Sequence, residues 1–285
     1  MKGIITSSIC GSYKVTSDNV DYNVSARGLF KHKKRKLVVG DYVEINVDEN
    51  IITDVYDQKT FFIRPCIANV DQAAVVMSVV EPEFSLFLVD KFLTYINFNN
   101  VKGTVIITKV DKLNDRTSIE NIKNLIKSYG IDVVLFSKET KEGLDEVNAL
   151  FKNKVTVLMG QSGVGKSSLL NTLIPEYNRM IGEYSSALGR GKHQTKEVIL
   201  LPFDGGFIAD TPGFSSLDIE LSPKQIAMSF PIIKDHYGTC FFGDCLHISE
   251  KQCKVKDELG KTLPNESYEN YLLLIKEAKE RKVKY

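Results

Sequence analysis

Residues 160–168 read GQSGVGKSS, and this short stretch leaves little freedom to the fold around it. Gly160, Gly165, Lys166 and Ser167 fit the pattern G-x-x-x-x-G-K-[ST] at every fixed position. The apolar run VTVLM comes just before it and SSLLNTL opens a helix just after, the strand–loop–helix setting that a phosphate-binding loop requires. Gly160, Gly163 and Gly165, with Gln161, Ser162 and Val164 between them and Ser168 beyond, allow backbone N–H groups to turn inward around a phosphate. The positive end of the following helix reinforces them. Lys166 is placed to reach β- and γ-phosphates and the Ser167 hydroxyl to ligate Mg²⁺. A nucleoside triphosphate with Mg²⁺ is the expected ligand.

A phosphate loop of this kind sits on a sheet, and the surrounding sequence supplies one. QAAVVMSVV, GTVIITKV, DVVLFS, VTVLMG, EVILLPF and GFIADTPG read as strands, with helices expected at about 88–98, 115–128, 141–152 and 166–174. Apolar strands alternating with helices predict a mainly parallel sheet covered on both faces. The last strand delivers Asp210 and then Gly213, an Asp-x-x-Gly pattern. Such a pattern places a magnesium-linked carboxylate and a glycine that senses the γ-phosphate. Phe214 follows, where Ras-like enzymes carry a glutamine that orients the attacking water. A phenylalanine cannot do this, so slow intrinsic turnover and activation by a partner are expected; a partner can add on the order of 10³–10⁵ in rate.

The base is addressed by VIITKVDK, residues 105–112. Thr108-Lys109-Val110-Asp111 is close to the Asn-Lys-x-Asp that reads guanine. Asp111 can accept from the guanine N1–H and its amino group. Adenine offers no such donors and would leave the carboxylate unpaired. The Lys109 stem would lie along the base, and the Thr108 hydroxyl, standing where asparagine is usual, can still tie this loop to the phosphate loop. FSKETKEGL repeats the last guanine-binding pattern, with Ser137 and Lys138 beside the O6 edge. Both base motifs precede the phosphate loop, and Asp-x-x-Gly follows it. This order is a cyclic permutation of the usual one, which a parallel sheet tolerates when the old termini are bridged and a new opening lies at the surface.

With 285 residues, 43% apolar and 26% charged, the chain has room for more than this domain, and a net charge of +1 points to no partner. Residues 1–64 carry short β-like pieces (GIITSSIC, SYKVTS, KLVVGDYVEINV, IITDVY) that suggest a five-stranded barrel of the OB type. The run KHKKRK, Lys31 to Lys36, would attract a phosphate-rich polymer. Arg64-Pro65 reads as a linker, 65–217 as the nucleotide domain and 218–285 as a mostly helical tail ending in a helix around 267–282. No apolar run is long enough to span a bilayer, and the N-terminus lacks a secretory pattern, so the chain is expected to be cytoplasmic with reduced thiols.

Three of the five cysteines then need another purpose. Cys240, Cys245, His247 and Cys253 offer three thiolates and an imidazole, a donor set for a closed tetrahedral Zn²⁺ site; three buried cysteines beside a core histidine are the alternative. Cys10 and Cys66 lie elsewhere and read as ordinary residues.

Taken together, TKVDKL, GQSGVGKSSLLN, LGRGKHQTKEV, IADTPGFSSLD and TCFFGDCLHISEKQC resemble the RsgA family (also YjeQ or YloQ) of circularly permuted GTPases. The resemblance covers nearly the whole chain. It implies a multidomain protein: an OB-fold barrel, a permuted α/β P-loop GTPase domain and a mostly helical zinc-binding domain. It implies that Cys240, Cys245, His247 and Cys253 hold zinc, that Thr195 joins Ser167 at Mg²⁺, and that His193 positions the attacking water. The family switch reads Gly-x-His-Thr-Thr, and this chain has Gln194 in place of the first threonine. Lys251 replaces a proline of the tail motif. The implied activity is GTP hydrolysis to GDP, stimulated by the 30S ribosomal subunit during its late maturation. The barrel, the Lys31–Lys36 run and the tail would contact 16S rRNA, and the protein would act as a monomer without DNA or membrane partners. A non-enzymatic RNA-binding scaffold that uses nucleotide structurally is the competing class, and an ATP-using metabolic enzyme is a third.

Overall fold

The computed structural model of the chain describes residues 1–9, 11–26, 36–187, 198–211 and 220–281, without the side chains of 183–187. Cys10, residues 31–35 of the basic run, His193, Gln194, Thr195, Gly213 and Phe214 lie outside the described residues. The first five strands, β1 (Lys2–Ile9), β2 (Ser12–Ser17), β3 (Val20–Ser25), β4 (Tyr42–Asn46) and β5 (Ile51–Val55), form a closed barrel in the order β1-β2-β3-β5-β4. Antiparallel β1–β4 pairing and a short parallel contact of β3 with β5 close it. Alternation along β4 sends Val43 and Ile45 inward, as a half-buried strand requires. The β3 residues VDYNVS are not among the expected pieces because most of that strand faces solvent. KLVV, read as strand, has no regular secondary structure apart from an isolated bridge of Val39 with Ile67. The buried Asp41 accepts from the Val38 N–H at 2.9 Å and from Gln58 Nε2 at 2.8 Å, which bends the chain just before β4. A small hairpin, β6 (Phe61–Phe62) with β7 (Ile67–Ala68), follows, and Arg64-Pro65 lies in its turn.

The sheet comprises β8 (Gln72–Ser78), β9 (Lys102–Thr108), β10 (Asp132–Phe136), β11 (Val155–Met159), β12 (Ile199–Phe203) and β13 (Gly206–Asp210). Its spatial order is β10-β9-β8-β11-β13-β12, parallel throughout except for β12 against β13. All six expected strands are present, and β8 and β11 are buried along their whole length. The helices α1 (Leu86–Phe98), α2 (Thr117–Ser128), α3 (Leu144–Phe151) and α4 (Lys166–Leu173) occupy the four expected positions. A fifth, α5 (Tyr177–Ala187), is additional to them. Pro175 just before it and Gly182 within it obscure its period.

Beyond residue 220 the α-helices of the described chain are α6 (Pro223–Ala227), α7 (Lys254–Glu258) and α8 (Asn265–Glu280), joined by turns and irregular chain. Ser222 and Gln225 cap α6 reciprocally. Tyr271 and Phe230 pack edge to face in a separate core with Leu274, Ile275 and Val255. This tail docks on α1. Asp90, wholly buried, accepts from Ser267 Oγ at 3.1 Å and Asn270 Nδ2 at 2.7 Å, while its Oδ1 has no partner. Lys91 pairs with Glu277 at 2.7 Å, Asn97 donates to the Ser229 carbonyl, and Tyr129 meets Ser267.

Burial pushes the Asp90 carboxyl up to about 7 against the bonds from Asn270 and Ser267, and Glu266 nearby adds to the rise. The folded state therefore binds this proton more tightly than the unfolded chain does. The resulting stability is complete below the ordinary carboxylate pKa of 3.8 and is lost as pH rises through about 7. Asp90→Asn, which keeps a neutral amide at every pH, should stabilise the chain on the order of 1–3 kcal/mol at pH 8 and far less at pH 5. Denaturant titrations at both pH values measure this. An equal effect at the two would show that Asp90 titrates normally.

Candidate nucleotide site and cysteine knuckle

Strand β11 runs into the phosphate loop beside β8. Gly160 has φ +147°, and a Cβ there would lie 2.2 Å from the Val76 carbonyl oxygen, so the loop can pass this close to β8 only without a side chain. Gly165, at φ +96°, caps α4 next to the Thr108 side chain. The Thr108 hydroxyl donates to the Val164 carbonyl at 2.6 Å, linking the end of β9 to the phosphate loop. Lys166 Nζ donates to the carbonyls of Gly160 and Gln161, at 2.6 and 2.7 Å, so the ammonium sits within the loop's own curve. Burial draws its pKa down to about 8, opposed by the charge of Asp210. Asp210 ends β13, and its own pKa is pushed up by burial, against the Tyr177 hydrogen bond and Lys166.

After Thr108 the chain leaves β9 through Lys109 in the left-handed conformation (φ 61°) and enters a single 3₁₀ turn, Val110–Lys112. This turn buries Val110 and directs Asp111 back towards the end of β10. There Ser137 Oγ donates to Asp111 Oδ1 at 2.7 Å and itself accepts from the N–H groups of Glu139 and Thr140. The Ser137 bond holds the Asp111 carboxyl below the ordinary range, so it is anionic at neutral pH. Lys109 Nζ donates to the carbonyls of Val80 and Glu81, fixing its stem across the loop that leads to α1. A cavity of ≈ 210 Å³ opens here, lined by Thr108, Lys109, Asp111, Lys138, Gly165 and Ser168 among others. Residues from three separate stretches of sequence thus border one cavity: a carboxylate ready to accept from a donor edge, next to N–H groups suited to phosphate.

In the tail, Cys240, Cys245, His247 and Cys253 have their donor atoms within 4.8 Å of one another. His247 Nδ1 lies 3.5, 3.6 and 3.4 Å from the three sulfurs. A tetrahedral ion with metal–sulfur bonds of about 2.3 Å and metal–nitrogen bonds of about 2.0–2.1 Å gives edges of about 3.6 Å, so the donor set has room for one such ion. Burial pushes the Cys245 thiol up to about 12 and raises Cys253 as well, and it lowers His247, which stays neutral as a ligand must. The knuckle backbone is pinned from outside. Glu250 accepts from the N–H groups of Leu246, Ile248 and Ser249, and Tyr268 and Tyr271 donate to the carbonyls of His247 and Leu246. This group could hold a metal. The Tyr177–Asp210 contact and the buried Asp90 anchor carry no recognisable motif, and only the folded chain brings their partners together.

A sheet whose phosphate loop follows the fourth strand in chain order, with both base loops ahead of it, is that of a circularly permuted P-loop GTPase. The crystal structure of YloQ, described as a circularly permuted GTPase, superposes with a TM-score of 0.83 at 33% identity, covering 100% of this chain and 96% of that one. YjeQ from Thermotoga maritima gives 0.84 at 32% identity over 99% of each. The chain belongs to the RsgA GTPase family: residues 53–220 match the RsgA GTPase model and residues 2–52 the RsgA N-terminal domain. It is therefore a GTP-hydrolysing enzyme. Full-length relatives include the small ribosomal subunit biogenesis GTPase RsgA of Geobacillus sp. (strain WCH70), 38% identical over 100% of this chain and 99% of the relative. That of Bacillus cereus (strain ATCC 10987 / NRS 248) is 39% identical over the same shares. Among the described residues no helix is long and apolar enough to cross a membrane.

Proposed function

We propose that this chain is a cytoplasmic, monomeric assembly factor of the small ribosomal subunit, bound to its 16S rRNA in the GTP state and released by hydrolysis. The observation that carries this reading is the match of the whole chain, barrel, permuted domain and cysteine tail together, to relatives named for small-subunit biogenesis. The working units are residues 1–64, 65–217 and 218–285. Gly160, Gln161, Ser162, Gly163, Val164, Gly165, Lys166, Ser167 and Ser168 hold the phosphates. Ser167 and Thr195 ligate Mg²⁺ with Asp210 behind them, Gly213 senses the γ-phosphate and His193 positions water. Asp111 reads guanine, with Thr108, Lys109, Val110, Ser137 and Lys138 shaping the base pocket. The knuckle holds one structural Zn²⁺, supported by its Cys₃His donor set and the tetrahedral spacing of its atoms. The barrel and the Lys31–Lys36 run meet rRNA phosphates, so binding weakens as salt rises.

Turnover of GTP with and without purified 30S subunits tests this. A partner that completes a site of this kind supplies on the order of 10³–10⁵ in rate, and stimulation of at least about tenfold is expected. An unchanged rate would remove the ribosomal reading and leave the GTPase standing.

A further inference from the structure

Tyr177 is the first residue of α5, and only 6% of its surface is exposed. Its ring belongs to the core beneath the phosphate loop, with Leu170, Ile174 and Ile208. A tyrosine hydroxyl buried this deeply needs a partner, and leaving it without one would cost about 1–3 kcal/mol. Its partner is not a backbone carbonyl, as it is for Tyr268 and Tyr271. It donates to Asp210 Oδ2 at 3.0 Å, the carboxylate at the end of β13. A neutral core hydroxyl therefore holds one of the side chains that serve Mg²⁺ in the proposed reading. The Tyr177 hydroxyl is the hydrogen bond that fixes the Asp210 carboxylate, while the charge of Lys166 acts on it from nearby. Thr211 is itself anchored, its hydroxyl donating to the Leu158 carbonyl at 2.8 Å.

We infer that Tyr177 is a positioning residue for the magnesium site, its hydroxyl holding the Asp210 carboxylate in the orientation that the hydrated cation needs. This rests on the reading that Ser167 and Asp210 serve Mg²⁺ bound with nucleotide. A carboxylate that meets a cation through water has little directional hold of its own, and its outer hydrogen bonds fix where its lone pairs point. Removing such a partner commonly lowers metal affinity about 10–100-fold. The same bond fastens the start of α5 to the end of β13, so the metal site and this helix share one hydroxyl.

Tyr177→Phe removes the oxygen and keeps the ring, so the core stays filled. The experiment follows the release of a fluorescent GDP analogue from the full chain across a Mg²⁺ titration, with a parallel arm in EDTA. The Mg²⁺ concentration giving half-maximal slowing should rise about tenfold or more in the variant. Its rate in EDTA should match the wild type, which a merely structural role would not produce. A variant midpoint equal to that of the wild type overturns the inference, and so does a lower one, which would make the hydroxyl a competitor of the metal. Wild-type release that ignores Mg²⁺ would overturn the reading of the site as well. Mg²⁺-sensitive wild type with an unchanged variant would overturn this inference alone.

Discussion

Exchanging Asp111 for asparagine should lower GTP affinity on the order of 10²–10⁴-fold and turn the preference towards xanthosine triphosphate. Asp111 is an anion with one oxygen committed to Ser137 at 2.7 Å, and its pKa is held down chiefly by that bond. Guanine presents two donors, N1–H and the 2-amino group, which a carboxylate accepts together. An asparagine keeps one acceptor and sets an NH₂ group either against the Ser137 proton or against the guanine donors. Each charged hydrogen bond lost is worth about 1.5–3 kcal/mol, and the facing donor left unpaired adds its own desolvation cost. Xanthine carries a carbonyl in place of the 2-amino group, so it accepts from the new NH₂ while N1–H still finds an acceptor. Competition of GTP, XTP and ATP against a fluorescent nucleotide measures the three affinities. A variant that binds GTP within about threefold of the wild type, a difference of well under 1 kcal/mol, would show that Asp111 does not read the base. Equal competition by ATP and GTP at the wild-type site would have the same meaning.

The sequence was most readable where chemistry needs a fixed spacing. The phosphate loop, the TKVD turn and the Cys-His knuckle each lie within a short stretch, so local pattern alone brought their side chains into view. The six sheet strands were legible because β-branched runs buried on both faces leave an unbroken apolar signal, as in Ala73–Met77. Amphipathic or polar elements were harder. Strand β3 exposes most of its residues, and α5 begins two residues after Pro175 with a mixed surface. The contacts joining the parts were hidden for a different reason. Asp90 meets Ser267 and Asn270 across 177 and 180 residues, and Tyr177 reaches Asp210 across 33. No local period encodes such pairs. A charged residue in the middle of α1 reads as a solvent-facing position until α8 covers it. Helix α1 follows the Val80–Glu81 carbonyls that hold Lys109 and also carries the tail through Asp90 and Lys91, so the base loop and the tail meet the same helix.

Stripping the metal from the knuckle should release residues 240–253 while leaving α8 docked. The two parts of the tail are held differently. Helix α8 keeps the Asp90, Lys91 and Tyr129 contacts with the sheet domain, none of which touches the knuckle, and Tyr271, Leu274 and Ile275 pack on Phe230, Ile233 and Val255 as well as on Cys245 and Cys253. The stretch from Cys240 to Cys253 has bends and turns in place of regular secondary structure. Its inward-facing side chains are mainly the four donors, with Cys245, His247 and Cys253 almost fully buried. Without an ion, three thiols and an imidazole are packed together with only weak sulfur hydrogen bonds to offset their burial. Structural zinc in finger peptides supplies about 10–16 kcal/mol of apparent folding free energy at pH 7, and even a third of this would dominate so short a segment. Hydrogen exchange read by mass spectrometry, with and without a strong chelator, separates the two parts. Peptides spanning 240–253 should lose protection on the order of 10³-fold or more, as local opening becomes nearly free, while those of 267–280 should change little. Cys245→Ser should reproduce the pattern without chelator. Full protection of 240–253 after metal analysis confirms an empty site would mean that packing alone holds the knuckle, and loss of protection across 267–280 as well would mean that the ion organises the whole tail.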